Sequence, residues 1–220
     1  MINLGVLVSG KGTNLQSLLD AIEAGRLDAR VAVVVSNNPK AFALDRARSR
    51  KIPVEVIPNT AFPSREEYDR NIAGILRDHA VDLVILAGFM KIITAELINA
   101  FPMRIMNIHP ALLPAFPGLN VQKKALEYGA RFSGATVHFV DEGIDTGPII
   151  IQAVVPVYEE DTVETLSSRI LAEEHRIYPE AVQLFSEERL KVAGRKVIIK
   201  DHRKPDGKME NPEARGATRG

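Results

Sequence analysis

The 220-residue chain contains no cysteine. Disulfides, thiolate nucleophiles and cysteine-based zinc sites are therefore excluded. Charge of either sign is not in excess: 28 Lys and Arg balance 28 Asp and Glu, and the formal net charge is +0. Nucleic acid bound through bulk charge is not expected. No apolar run approaches the roughly 20 residues that span a bilayer, so no membrane partner is expected. Residues 1–9 are apolar but have no basic region ahead of them, and Gly and polar residues follow at once. A secretory signal is thus not expected, and a cytoplasmic location is. There is no His-x-His pair and no internal repeat, and no metal is expected. What is present is ordinary for a globular domain: 45% hydrophobic and 25% charged residues, at a length that suits one domain with at most a small appendage.

Apolar runs alternate with helical spacing along the first half. "INLGVLV" (2–8), "VAVVVS" (31–36), "PVEVI" (53–57), "VDLVILAG" (81–88) and "RIMNI" (104–108) read as strands, several of them buried on both faces. Between them, Leu15, Leu18, Leu19 and Ile22 begin one helix, with Gly25 as its stop. Phe42, Leu44 and Ala47 begin a second, and Ser64, Glu66 and Glu67 open a third. This alternation predicts an α/β fold: a Rossmann-like, mostly parallel twisted sheet flanked by helices. After residue 118 the rhythm changes. "VQKKALEYG" reads as a short helix closed by Gly129. "SGATVHFV" (133–140) and "PIIIQAVVPV" (148–157) read as an antiparallel strand pair in the C-terminal half. A long helix is expected from about Thr162 to Phe185, and "RLKVAGRKVIIK" as a small terminal hairpin. Residues 201–220 are polar, with Pro and Gly, and read as a disordered tail.

The segment "SGKGTNLQ" (9–16) joins the first strand to the first helix. Gly10 and Gly12 allow close backbone approach, and Thr13 or Asn14 is suited to cap the helix, whose free N–H groups attract an anion. The match to a dinucleotide loop is partial: Leu15 stands where a third glycine belongs, and "VVSNNP" ends the second strand without an acidic residue. No GK[ST] closes a phosphate-binding loop of the Walker type. A phosphate-bearing small molecule and a plain strand-to-helix turn both remain open on this loop alone.

The segment "NIHPALLPAFPG" (107–118) is a loop by its proline content, yet it opens at the end of an apolar strand. Asn107 and His109 are two apart and face one side if the strand persists through Ile108. Pro110 holds His109 to extended conformations. In "GIDTGPI" (143–149), Asp145 lies in the turn between the last two strands. Asp-Thr-Gly is ordinary turn chemistry. Beside an imidazole, however, a carboxylate fixes the tautomer and favours the protonated ring. His138 shares a strand face with Thr136 and Gly134, opposite Ala135, Val137 and Phe139, and is a further candidate for the site.

In order along the chain, "SGKGTNLQ", "AGFMKI", "NIHPALLPAFPG", "GATVHFV", "DTGPII" and "EEHRIYPEAV" closely resemble the glycinamide ribonucleotide formyltransferase family, folate-dependent enzymes of purine synthesis. The resemblance covers residues 2 to about 190. It implies the formyltransferase fold and two small-molecule substrates, 10-formyltetrahydrofolate and glycinamide ribonucleotide, acting in a monomer or homodimer. It implies Asn107, His109 and Asp145 as the catalytic trio. Gly12, Thr13, Asn14 and Glu174 are then expected to hold the ribonucleotide. Arg65, Met90, Lys91, Ile92 and Ile93, together with Asn107 and the run Val140, Asp141, Glu142, Gly143, Ile144 and Asp145, are expected to line the folate site. Residues 1–190 form the implied catalytic domain, with a phosphate-binding half (1–100) and a folate-binding, catalytic half (101–190), followed by the hairpin at 191–200. Lys91 stands where relatives often carry Arg, which gives up a planar bidentate donor. Asn120 and Gln122 stand where many carry histidine.

The implied chemistry is attack of the substrate amine on the formyl carbon. Asn107 and His109 donate to the developing oxyanion, and a histidine–carboxylate pair moves the proton. Three rivals are weighed. A formyltetrahydrofolate hydrolase is expected to carry an extra amino-terminal domain. A methionyl-tRNA formyltransferase is expected to carry a basic carboxy-terminal one. A non-catalytic binding module would keep the glycine loop without the trio.

Overall fold

Every second element of the first half is a strand, several of them too apolar to tolerate water on either face, so the sheet must carry helices on both sides. A computed structural model describes residues 1–200. Residues 201–220, read above as a disordered tail, lie outside the described residues. In chain order come β1 (Ile2–Val8), α1 (Thr13–Glu23), β2 (Ala29–Ser36), α2 (Phe42–Ser49), β3 (Val54–Val56), α3 (Arg65–Asp78), β4 (Leu83–Leu86), α4 (Ala95–Ala100) and β5 (Ile105–His109). Then follow α5 (Val121–Tyr128), β6 (Phe132–Phe139), β7 (Ile149–Pro156), α6 (Val163–Ser186), β8 (Leu190–Ala193) and β9 (Lys196–Ile199). Among the described residues no helix is long and apolar enough to cross a membrane.

Among the described residues, nine strands join one sheet in the order β3-β2-β1-β4-β5-β6-β7-β9-β8. The block β3 to β5 is parallel. The predicted antiparallel pair is β6 with β7. Strand β6 is also antiparallel to β5, which the sequence did not announce. The terminal hairpin of β8 and β9 extends the sheet by a parallel contact between Ile149 and Lys196. The sheet order reverses between β1 and β4, which in open α/β sheets is where ligands bind, beyond the strand ends.

Two cores flank the sheet. On one face Leu4, Val6 and Val8 of β1 pack with Leu15 and Leu18 of α1 and Ile170, Ile177 and Val182 of α6. On the other, Leu7, Val33 and Val35 pack with Ile72 and Leu76 of α3 and Leu97 of α4. Gly5 interrupts β1 because a Cβ there would lie 2.4 Å from Leu76 Cδ2. Helix α4 escaped notice in the sequence. Its six residues are too few to show a helical period.

Helix α3 starts at Ser64, whose side chain accepts the Glu67 N–H. Helix α6 starts at Thr162 in a reciprocal cap: Thr162 Oγ1 accepts from Thr165 N–H, and Thr165 Oγ1 accepts from Thr162 N–H. Along α6, Tyr178 is fully buried, and its hydroxyl lies 2.9 Å from the Met106 carbonyl of β5 and 3.1 Å from the Leu86 carbonyl at the end of β4. One phenolic proton thus bridges the two strands that lead into the candidate site. Tyr178→Phe removes only that hydroxyl and leaves two buried carbonyls without it. Urea unfolding is expected to show a loss of about 1–3 kcal/mol; an unchanged midpoint would show that the bridge carries no weight.

Candidate active site

Alternation along β5 and β6 separates oil from polar groups. Met106, Ile108, Ala135, Val137 and Phe139 point into the core beneath α6. Asn107 pairs with His138 and His109 with Thr136 across the ladder, so these four side chains share the opposite face. His138 therefore faces the site rather than acting as an isolated strand histidine. Its Nδ1 lies 2.8 Å from the Phe139 carbonyl, an acceptor, so Nδ1 carries the proton. Nε2 is then a lone pair and accepts from the Asn107 amide at 3.2 Å. Burial pushes the His138 pKa below its ordinary value, against the pull of the Phe139 carbonyl and Asp145, which keeps the ring neutral in this role.

His109 is buried, 4% exposed, and its two ring nitrogens both meet oxygen acceptors. Nδ1 is 3.3 Å from Asp145 Oδ2, and Nε2 is 2.9 Å from the Phe116 carbonyl. The Phe116 carbonyl is an acceptor, so Nε2 carries a proton, and the Nδ1 side of the ring faces the Asp145 carboxylate. Asp145 Oδ2 also accepts the Gly118 N–H at 2.9 Å, and its Oδ1 lies 3.8 Å from His138 Nε2. The loop 110–118 is thus tied to both His109 and Asp145. Thr136 holds the base of that loop: its hydroxyl donates to Ala111 O and accepts from Leu113 N–H and from Gln152 Nε2. Asp145 reaches the sheet face because its backbone sits at φ 54. The turn is braced by Asp141 Oδ1, which accepts from the Thr146 hydroxyl and the Gly143 N–H.

At the glycine loop, neither Thr13 nor Asn14 caps the helix. The N-cap is Gly12, at φ 70, with no side-chain cap. Asn14 is drawn instead to α6, where its amide donates to Glu174 Oε2 at 2.8 Å, both residues being buried. A cap would leave that buried carboxylate without this donor, so the long-range bond wins. Asn14 Oδ1 has no partner among the described residues. Burial raises the Glu174 pKa, and the bond from Asn14 only partly offsets it. Gly12 is a forced choice: a Cβ would meet Ala43 Cβ at 2.5 Å, besides the left-handed backbone. The loop is fastened to α2 by Ala43 N–H to Gly10 O and by Arg46 to Lys11 O. From Thr13 a recess of about 320 Å³ runs along α1, lined by Gln16, Ser17, Asp20, Arg46 and His175.

A second recess, of about 410 Å³, is lined by Arg65, Met90, Lys91 and Ile92, and by Phe62 and Tyr68, which the sequence did not flag. Ile93 does not line it but is buried against Leu97 and Ile98. Nor do residues 140–145. Val140 packs on the same core as Ile93, Glu142 is exposed, and Ile144 is 56% exposed. The unforeseen partners of His109 and Asp145, the Phe116 carbonyl and Gly118 amide, are backbone groups and leave no mark on residue type.

Residues 2–182 match the family model described as formyl transferase. The phosphoribosylglycinamide formyltransferase of Haemophilus influenzae is 43% identical over 192 residues, which cover 87% of this chain and 91% of that protein. The solved structure of glycinamide ribonucleotide transformylase 1 from Symbiobacterium toebii is 55% identical, with TM-score 0.90, covering 91% of this chain and 95% of the other. A formyltetrahydrofolate deformylase structure from Pseudomonas syringae is 27% identical with TM-score 0.84, covering 91% of this chain and 66% of that one.

Two outcomes follow from the loop and its acceptor. Glu174 titrates near 4.5 in the unfolded chain and higher in the folded one. The native state therefore holds that proton more tightly, and stability is lost as pH rises from 4.5 through the raised value. Glu174→Gln lacks this loss. Its Tm relative to the unsubstituted protein is expected to climb across that window and then level, as melting curves between pH 4 and 8 would show; a parallel pair of curves refutes it. Gly12→Val must move the loop off Ala43. Calorimetry on the folded variant is expected to show phosphate-ligand affinity falling at least tenfold, in line with the loss of two or more backbone N–H contacts, with binding at the Arg65–Ile92 recess retained. An equal fall at both places would reassign the loop.

Proposed function

The chain belongs to the formyl transferase family, and from that premise we propose that it transfers a formyl group from 10-formyltetrahydrofolate to the amine of glycinamide ribonucleotide. The products are formylglycinamide ribonucleotide and tetrahydrofolate, the phosphoribosylglycinamide formyltransferase step of purine (IMP) biosynthesis. The observation that carries this reading is the convergence of Asn107, His109, His138 and Asp145 on one polar sheet face.

The two substrates fit the groups available. Free N–H groups at the start of α1, over Gly12, Thr13 and Asn14, suit the ribonucleotide phosphate. The unpartnered Asn14 Oδ1 and the Glu174 carboxylate are acceptors suited to ribose hydroxyls. The recess with Phe62, Met90 and Ile92 on its wall and Arg65 and Lys91 as cations suits an aromatic ligand with an anionic tail, as folate is. The run Val140–Asp145 does not line that recess; in this reading it joins the folate side through Asp145, which stands beside His109. In this reading residues 1–100 hold phosphate, and 101–190 carry the chemistry.

The formyl donor supplies the electrophilic carbon. Asn107 has one amide proton committed to His138, so the other is available to the oxygen of the attacked carbonyl. The His109 Nε2 proton, held here by the Phe116 carbonyl, is the second donor. Substrate entry therefore exchanges that loop carbonyl for the formyl oxygen. Asp145, 3.3 Å from His109 Nδ1, holds that side of the ring. As the carbon–nitrogen bond to folate breaks, His109 passes a proton from the amine side to the departing nitrogen.

His109→Ala and Asp145→Asn are each expected to lower turnover by roughly 10²–10⁴, with both substrates still bound. Near-normal turnover of either variant removes it from the trio. The assay is run with and without glycinamide ribonucleotide. Formate released at full rate without it would assign the chain to hydrolysis, the activity named for the Pseudomonas syringae neighbour.

A further inference from the structure

Ser9 follows β1, the strand flanked by β2 and β4 at the reversal of sheet order. Its groups are bonded to both neighbouring loops. The hydroxyl accepts the Met90 N–H at 2.9 Å and lies 2.6 Å from Asn37 Oδ1. Asn37 Oδ1 is an amide oxygen and can only accept, so the hydroxyl gives its single proton to Asn37. The Ser9 N–H donates to the Gly88 carbonyl, and the Ser9 carbonyl accepts from Asn38 Nδ2. A serine so engaged is not a nucleophile, because its proton is committed to an amide that is not a base.

The segment it holds has little else to hold it. The side chains of Met90, Lys91 and Ile92 are exposed, and the chain returns to the core only at Ile93. Among the described residues, the backbone hydrogen bonds of 88–92 both go to Ser9. Ser9 is also the first residue of the loop that leads through Gly10 to Gly12. We propose that Ser9 is a positioning residue that sets the folate-side segment Met90–Ile92 in register with the phosphate-side loop, so that the two substrates meet at the correct separation. This rests on the assignment of the two loops to the two substrates made above.

The test is steady-state kinetics and calorimetry on the unsubstituted enzyme, Ser9→Ala and Ser9→Thr. Loss of one backbone anchor of this kind corresponds to roughly a two- to tenfold change. In Ser9→Ala, KM and Kd for the folate substrate are expected to rise by that factor, while Kd for glycinamide ribonucleotide and kcat stay within about twofold. Ser9→Thr, which keeps the hydroxyl, is expected to recover most of the loss. An unchanged folate KM, an equal rise for both substrates, or a threonine variant no better than alanine overturns the proposal. If Ser9→Ala does not fold, Asn37→Ala frees the hydroxyl from its acceptor and is expected to raise the folate KM in the same direction; no rise there also overturns it. An unsubstituted protein that binds neither substrate overturns the loop assignment itself, whereas normal turnover with an unaffected Ser9→Ala counts against Ser9 alone.

Discussion

Strand β5 bonds parallel to β4 on one side and antiparallel to β6 on the other, and the site depends on that double allegiance. The parallel side aligns the end of β5 with the ends of β1 and β4, where the glycine loop and the Met90 segment emerge. The antiparallel side sets His138 directly opposite Asn107. A slip of one residue in either ladder would send Asn107 and His109 into the oil beneath α6 and bring Met106 and Ile108 up into the polar face. Such a slip is opposed by every apolar contact those side chains make with the core.

The same logic sets the charges. Two histidines lie within reach of one carboxylate, yet their surroundings differ. His138 is offered one acceptor and one donor, which a neutral ring satisfies. His109 faces two oxygens, the Phe116 carbonyl at Nε2 and the Asp145 carboxylate at Nδ1. A single carboxylate thus stands beside the His109 ring while neutral His138 fixes an amide. The two rings are told apart by their hydrogen-bond partners rather than by distance.

Much of this was readable in the residues. The alternation in "RIMNIH" and "GATVHF" announces which side chains share a face, and the apolar runs announce the parallel block. The resemblance supplied the roles. What stayed hidden shares one physical origin: it is decided by partners far away in the chain. Asn14 has the residue type of a cap, but a buried carboxylate on α6 claims it. Phe116 and Gly118 act through backbone atoms, which every residue possesses. Ile93 sits beside three exposed residues in sequence and turns inward because α4 offers it a core. Local pattern carries period and propensity; it carries no information on which distant group will arrive.

The bond between Asn14 and Glu174 joins positions 160 residues apart. During synthesis the glycine loop and the first parallel strands leave the ribosome long before α6 does. Until α6 docks, Asn14 has no carboxylate, the inner core lacks Ile170, Ile177 and Val182, and the ends of β4 and β5 lack the Tyr178 hydroxyl. Contacts of such separation form late and slowly. The enzyme therefore acquires its competence in one late event, when the last long helix closes over the sheet. A nascent or prematurely terminated chain ending before that helix would hold the trio's residues yet expose the apolar face of β5 and β6, and so be prey for chaperones rather than a weak catalyst.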